Sequence, residues 1–182
     1  MSIKIGLIGC GRIVNKHIAA INHNKFFLLK AVCDKNFNKA LKISKKLNVK
    51  AYKNINEMIK KESLDAVSIL TESGNHPKHF KIVCTKVKNI IIEKPLALFM
   101  KDFFEIQKLS KINKNNVFVV KQNRFNLPVK LLLKAIQKKY LGNVHTCTAR
   151  VRWKRDEKYY SQAKWRGTYK LDGGVIGNQA SH

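Results

Sequence analysis

Short runs of apolar residues alternate along this chain with longer segments in which apolar residues recur at helical spacing. Runs of this kind are typical of strands buried on both faces of a parallel sheet. They occupy residues 3–8, 26–33, 51–52, 66–70, 89–92 and 117–122. The helical segments between them span 13–21, 37–47, 55–61, 78–86 and 101–114. This alternation predicts an α/β fold built on a Rossmann-type, doubly wound parallel sheet.

The pattern changes after Gln122. Residues 127–140 favour a helix that Gly142 would end, and the partial alternation of 144–153 favours a strand. An aromatic and glycine-rich segment follows. We therefore predict a nucleotide-binding domain over 1–122 and the beginning of an α+β, mixed-sheet second domain over 123–182.

Glycines follow the first predicted strand directly, at Gly9 and Gly11, and the first helix begins near Ile13. The free N–H groups and the dipole of a helix that begins at such a turn favour a phosphate. The third position of the G-x-G-x-x-G pattern is Val14. Asp34 ends the second run, where an acid would hold the ribose hydroxyls of NAD and repel the 2′-phosphate of NADP. The alternative is an ordinary glycine turn with Asp34 as a solvated acid.

Composition sets further limits. The chain has 182 residues, 45% of them hydrophobic, and a formal net charge of +26. Its lysines are scattered through nearly every predicted helix, so we expect a nucleic-acid role to be secondary, while a positive field would suit an anionic sugar nucleotide. No apolar stretch is long enough to span a membrane. The N-terminus does not look like a signal peptide, and the four cysteines lack C-x-x-C spacing, which indicates a reduced, cytoplasmic protein.

The strand at 89–92 ends in Glu93-Lys94-Pro95, at the edge of the sheet where ligands bind in such folds. With the glycine loop and the terminal Gly173-Gly174, Asn178-Gln179 and His182, this motif makes the chain resemble the Gfo/Idh/MocA oxidoreductase family. Segments at 123–126, 159–161, 165–168 and 171–174 resemble the branch that oxidises UDP-N-acetylglucosaminuronic acid at its 3-position for surface-polysaccharide synthesis.

The resemblance implies a role for each matching residue. Lys94, ahead of a cis proline, and His182 would share the acid–base work, and Asn178 would bind substrate beside them. An ordinary strand-end lysine and a frayed terminal histidine are the alternatives. His76 and His79 have metal-ligand spacing but no partner acid, so we expect no metal. The residues implied in NAD binding are Gly9, Gly11, Arg12, Ile13, Asp34, Thr71, Ser73, Asn75, His76, Glu93, Lys94, Gln122, Asn123, Trp165 and Arg166.

The implied function is NAD-dependent oxidation of a sugar-nucleotide hydroxyl by a family whose full-length members form homo-oligomers. The alternatives are another sugar or cyclitol dehydrogenase and an inactive NAD-binding or nucleic-acid-binding remnant. Because the second domain would be incomplete, we expect exposed apolar surface, a tendency to associate and weak or absent activity. Trp153 is predicted to be a core aromatic residue.

Overall fold

A single sheet of six parallel strands forms the centre of the computed structural model, which describes residues 2–180. The strands are β1 (Ile3–Ile8), β2 (Phe27–Cys33), β3 (Lys50–Tyr52), β4 (Ala66–Ile69), β5 (Asn89–Ile92) and β6 (Asn116–Val119). Their order is β3-β2-β1-β4-β5-β6, with every neighbouring pair parallel. The predicted Rossmann-type sheet is confirmed. Its strand order reverses between β1 and β4, and the carboxyl ends of these two strands mark the ligand-binding crevice of such folds.

Helices connect the strands and continue beyond the sheet. They are α1 (Val14–His23), α2 (Phe37–Leu47), α3 (Ile55–Lys61), α4 (His76–Val83), α5 (Met100–Ile112), α6 (Leu127–Gln137), α7 (Glu157–Ser161) and α8 (Tyr169–Asp172). Helix α4 begins two residues before its predicted start, because Pro77 fits the first turn of a helix. Helix α6 ends at Gln137, before the predicted Tyr140, and Lys139 then has a left-handed backbone (φ 57°).

Apolar side chains cover both faces of the sheet, as its continuous apolar strands predict. One face packs Phe80 and Met58 against the strands, and the other packs Val14 and Ala40. All four residues of β4 are buried. Burial on both faces fixes the register of the central strands and therefore the positions of the loops at their carboxyl ends.

The prediction of a strand over 144–153 is wrong, because the structure shows no regular secondary structure there. A strand needs a neighbour for its N–H and C=O groups, and outside the parallel sheet residues 123–180 provide none. For the same reason Trp153 is 51% exposed instead of lying in a core. The predicted strand 117–122 is also shorter than expected, since β6 ends at Val119 and Gln122 begins a 3-10 turn.

Apolar surface remains exposed in the segment that follows the sheet, residues 123–180, as expected from the sequence. Helix α6 carries Leu131, Leu132 and Leu133 at 57%, 51% and 46% exposure, and none of its residues is buried. Exposed apolar area on this scale favours association.

Candidate cofactor and active site

Gly9 closes the turn after β1 in a conformation that only glycine adopts without strain. Its φ is +102°, and a Cβ there would lie 2.8 Å from the backbone carbon of Leu70. The glycine loop therefore passes directly against the backbone that follows β4, at the carboxyl edge of the two central strands. This contact, together with the apolar strands, places the loop in the crevice of the sheet.

The start of α1 is open to an anion. A Cβ at Gly11 would meet no protein atom within 4 Å. Within residues 2–180 no side chain caps α1 at Ile13, and its first turn holds no acid. Val14, at the third position of the glycine motif, is buried and packs in the core. The N-terminal end of this helix, with its dipole, therefore faces space that a phosphate can enter.

Asp34 is held rigidly at the end of β2, beside the glycine loop. Its Oδ2 accepts a hydrogen bond from the Cys10 N–H at 2.7 Å, and its Oδ1 accepts one from the Asn36 N–H at 2.8 Å. Lys35 pairs with Glu72, Nζ to Oε1 at 2.6 Å. A carboxylate accepts about four hydrogen bonds, so Asp34 retains capacity for ribose hydroxyls.

The loop after β4 crosses this edge and has its own charge network. Glu72 accepts hydrogen bonds from Lys35 and from the Asn75 amide, the latter at 3.0 Å. Burial alone would raise the pKa of Glu72, but these two hydrogen bonds, a backbone hydrogen bond and the charge of Lys35 together lower it to about 2. The Thr71 hydroxyl lies 2.9 Å from His79 Nδ1, and burial lowers the pKa of His79 to about 4. These shifts favour a charged Glu72 beside a neutral His79 at neutral pH.

His76 is buried beneath the loops at the carboxyl edge of the sheet. Its ring is fully buried, with Nδ1 2.8 Å from the Pro95 carbonyl oxygen and Nε2 3.1 Å from that of Thr71. Burial lowers the pKa of the ring, and the two carbonyl groups oppose the shift. The side chain joins the loops after β4 and β5. Ser73, also predicted at the cofactor, is buried nearby, and Thr71 is partly exposed.

Glu93 has a partner that the sequence analysis did not identify. His17 Nε2 lies 2.8 Å from Glu93 Oε1, and its Nδ1 lies 3.3 Å from the hydroxyl of buried Ser68. The second oxygen of Glu93 accepts the N–H of Lys94 at 3.2 Å. Helical spacing could have placed His17 near the sheet, because it lies three residues after buried Val14 and shares its face of α1.

Lys94 points from the β5 edge into the segment that follows the sheet. Its Nζ donates to the Asn178 backbone carbonyl at 2.7 Å and to Asn178 Oδ1 at 3.1 Å. The Lys94–Pro95 peptide bond is cis, as the resemblance implied. Burial lowers the pKa of the Lys94 ammonium, while the Glu93 and Asp172 carboxylates oppose the shift. The structure thus joins two of the three residues expected at the reacting centre; the third, His182, lies outside the described residues.

The segment that follows the sheet also touches the loop after β4. A Cβ at Gly74 would overlap the carbonyl oxygen of Lys170 in α8. The ring of Phe99 packs edge-to-face on Tyr169, with centroids 5.6 Å apart. These contacts hold the two parts of the crevice against each other.

Three guanidinium groups surround Tyr159 beside the glycine loop. Arg166, Arg155 and Arg12 lie 4.3, 4.9 and 5.9 Å from its ring centroid. Between residues 2 and 180 none of the three forms an ion pair, and the buried Nε atoms of Arg155 and Arg166 have no hydrogen-bond partner. Tyr159 also lines a cleft of about 250 Å³ with Asp172 and others. The arrangement can accept an anion.

The other predicted site residues lie at the margins of this crevice. Gln122 and Asn123 form a 3-10 turn beyond β6, with Gln122 exposed and Asn123 partly exposed. Trp165 is partly exposed, and the Arg166 guanidinium lies 6.0 Å from its ring centroid. Arg155 and Asp172 were not predicted, because no local spacing connects them to the glycine or Glu-Lys-Pro motifs.

Residues 3–121 match the sequence model of a protein family, GFO_IDH_MocA, described as an oxidoreductase family with an NAD-binding Rossmann fold. The chain belongs to this family. The predicted resemblance is therefore confirmed, and the open start of α1 and the carboxylate of Asp34 fit the NAD for which the family fold is described.

Relatives of the family extend the comparison. The WlbA dehydrogenase of Bordetella pertussis, solved with NADH and UDP-GlcNAcA, has a TM-score of 0.96 and 34% identity over 100% of this chain and 56% of its own. WlbA of Chromobacterium violaceum, also solved with both ligands, has a TM-score of 0.95 and 35% identity over 100% of this chain and 53% of its own. Myo-inositol 2-dehydrogenase of Thermotoga maritima is 30% identical over 79% of this chain and 43% of its own. The chain thus spans about half the length of these relatives.

No helix within residues 2–180 is both long and apolar enough to cross a membrane. No group of three or more histidine, cysteine, aspartate or glutamate side chains there is arranged to hold a metal ion.

Proposed function

We propose that this chain forms the cofactor-binding part and one wall of the substrate site of an NAD-dependent dehydrogenase that oxidises the 3-hydroxyl of UDP-N-acetylglucosaminuronate. The observation that carries the proposal is the overlay on two WlbA dehydrogenases over 100% of the chain. The inositol dehydrogenase relative aligns with 79% of it.

The proposed division of labour follows from the contacts at the sheet edge. Asp34 would hold the adenosine ribose, and Gly11 with Arg12 the pyrophosphate. When bound, NAD supplies the hydride acceptor. Lys94 would donate a hydrogen bond to the sugar hydroxyl and help carry its proton, for which a lowered ammonium pKa is suited. Asn178 would hold Lys94 in place, and His182 would share the proton transfer.

The cationic cluster around Tyr159 supports a negatively charged substrate. A diphosphate or a uronate carboxylate would pair with Arg155 and Arg166, which form no ion pair within residues 2–180. A neutral cyclitol would leave these charges uncompensated. Cyclitol oxidation is the second candidate function, because the chain is also similar to an inositol dehydrogenase.

Other parts of the proposal extend the family resemblance. We place the domain boundary near residue 122, shortly after the last strand of the parallel sheet ends at Val119. The complete protein would be a cytoplasmic homo-oligomer that supplies a sugar for surface polysaccharides. Size-exclusion chromatography of the complete protein would test its oligomeric state, and the sugar composition of a deletion strain would test its role in surface polysaccharides.

The first test is NAD binding by calorimetry. Asp34→Ala is expected to weaken binding at least about tenfold, because a charged group that accepts ribose hydroxyls is lost. Asp65→Ala is the matched control, since Asp65 is also an acid that accepts a backbone N–H, from Lys4 at 2.8 Å, but it precedes β4 at the opposite edge of the sheet. Equal affinity of the two variants, or no NAD binding by folded wild-type chain, would contradict the cofactor assignment.

Gly11→Ala should separate binding from folding. Its Cβ would meet no protein atom, so we expect an unchanged melting temperature. We expect NAD affinity to fall about tenfold, because the methyl group would occupy space that the pyrophosphate approaches. A variant that melts earlier, or binds NAD normally, would show that Gly11 serves the loop and not the ligand.

The substrate assignment is tested by NADH formation at 340 nm with UDP-N-acetylglucosaminuronate, UDP-N-acetylglucosamine and myo-inositol. We expect the uronate alone to be oxidised, weakly by this chain and strongly by a protein that carries the complete second domain. Preference for myo-inositol would favour the cyclitol alternative.

A further inference from the structure

Asp172, at the end of α8, is a buried carboxylate with no part in the function proposed above. It is 3% exposed. Its Oδ2 accepts the N–H of Gly167 at 2.7 Å, and its Oδ1 accepts a hydrogen bond from the side-chain amide of Asn178. Contacts inside the protein therefore fix both oxygens, and Oδ1 contacts Asn178, the residue that binds Lys94.

The chemistry of these groups allows one orientation of the Asn178 amide. An ionised carboxylate only accepts hydrogen bonds, so the NH₂ group must face Asp172. An ammonium only donates, so the carbonyl oxygen must face Lys94, where Oδ1 lies 3.1 Å from Nζ. The reversed amide would place NH₂ against the ammonium and a carbonyl oxygen against the carboxylate. Asp172 therefore fixes the face that Asn178 presents to Lys94.

We propose that Asp172 is a positioning residue for Lys94. Acting through Asn178, it holds the amide so that two oxygens of Asn178 anchor the ammonium at the β5 edge, and it adds a negative charge behind them. Only the catalytic role of Lys94 in this statement rests on the proposed function, because the Asp172–Asn178–Lys94 geometry stands without it.

The charged groups that act on Lys94 come from three parts of the fold. Glu93 is its chain neighbour, Asp172 belongs to α8, and Lys121 follows β6. The two carboxylates favour the charged ammonium, whereas Lys121 and burial disfavour it. Removing the charge of Asp172 should therefore make Lys94 lose its proton at lower pH.

The experiment measures the reactivity of Lys94 towards acetic anhydride as a function of pH, with each modified peptide quantified by mass spectrometry. Only the neutral amine reacts, so the profile reports the titration of Lys94. Asp172→Asn is expected to raise its labelling at pH 8 about threefold, equivalent to a downward shift of about half a pKa unit. Labelling of exposed Lys16 should stay unchanged.

Asp172→Asn separates positioning from simple structural support, because an asparagine oxygen can still accept the Gly167 N–H. If Asp172 only supports the turn at Gly167, Lys94 labelling in this variant should therefore stay at the wild-type level. Asp172→Asn combined with Asn178→Asp restores a donor facing an acceptor and places a carboxylate directly at Lys94, so labelling should return to the wild-type level or fall below it. Unaltered Lys94 labelling in Asp172→Asn, or no recovery in the exchange, would overturn the proposal.

Asn178→Ala covers the case in which Asp172→Asn unfolds the segment. It keeps the Asp172–Gly167 hydrogen bond but breaks the side-chain link, and it should raise Lys94 labelling as Asp172→Asn does. Wild-type labelling in this variant would also overturn the proposal. The measurement needs neither NAD nor substrate, so a failed cofactor assignment would be recognised separately, by calorimetry.

Discussion

Replacing Gly9 with alanine is expected to lower the free energy of unfolding by about 3 kcal/mol and to abolish detectable NAD binding. Two causes act together. A φ of +102° strains any residue with a Cβ, and that Cβ would lie 2.8 Å from the backbone carbon of Leu70. Relief requires the glycine loop to move away from the backbone that follows β4, so the phosphate site at the start of α1 is displaced as well.

Urea unfolding followed by circular dichroism measures the first effect, and calorimetry with NAD the second. Gly11→Ala is the natural control, because it adds the same methyl group two residues later in open space. Comparable unfolding free energies for the two variants would show that the close approach at Gly9 relaxes without cost, and would contradict the argument.

Acid should lower the stability of the protein through His79, in α4, and Glu72, in the loop after β4. Burial lowers the folded-state pKa of His79 to about 4, whereas an unfolded histidine titrates near 6.5. Between these values the unfolded chain binds more protons, so stability is fully present above pH 6.5 and falls as pH decreases towards 4. At pH 5 the expected loss is about 1 to 2 kcal/mol, allowing for partial exposure of the ring. Glu72, with a folded-state pKa of about 2, adds a further loss below about pH 4.5.

The measurement is the difference in unfolding free energy between pH 7 and pH 5 for wild type and His79→Asn. The variant should lose less stability over this interval, because its side chain does not titrate. His145→Asn, in the segment without regular structure, should behave like wild type. An identical pH dependence in all three proteins would rule out His79 as the acid-sensitive group.

The parts of the fold that sequence predicts well are those determined locally. Apolar runs buried on both faces predict the parallel strands, and Gly9 with Asp34 predicts the edge at which a nucleotide would bind. The Glu93-Lys94-Pro95 motif identifies Lys94 because a single strand end carries it. In each case the signal lies within a few residues of the strand end or turn that it marks.

The remaining features depend on contacts between distant segments. The pairs His17–Glu93 and Lys94–Asn178 form only after the sheet has brought separate loops to one edge. Residues 144–153 alternate as a strand would, yet pairing with a neighbour decides whether they become one, and residues 123–180 supply none. The position of His76 below the loops also follows from tertiary packing, since its sequence neighbours do not distinguish it from a ligand-facing residue.

The contact between Gly74 and Lys170 has a consequence for how this protein can change over time. Because no space remains between the glycine and the Lys170 carbonyl oxygen, a side chain at position 74 requires a compensating backbone shift in α8. Substitutions in these two segments should therefore be inherited together among relatives. A chimera could join this sheet to the second segment of another family member. Its two parts should stay docked only when the loop around position 74 is taken from the same parent as α8.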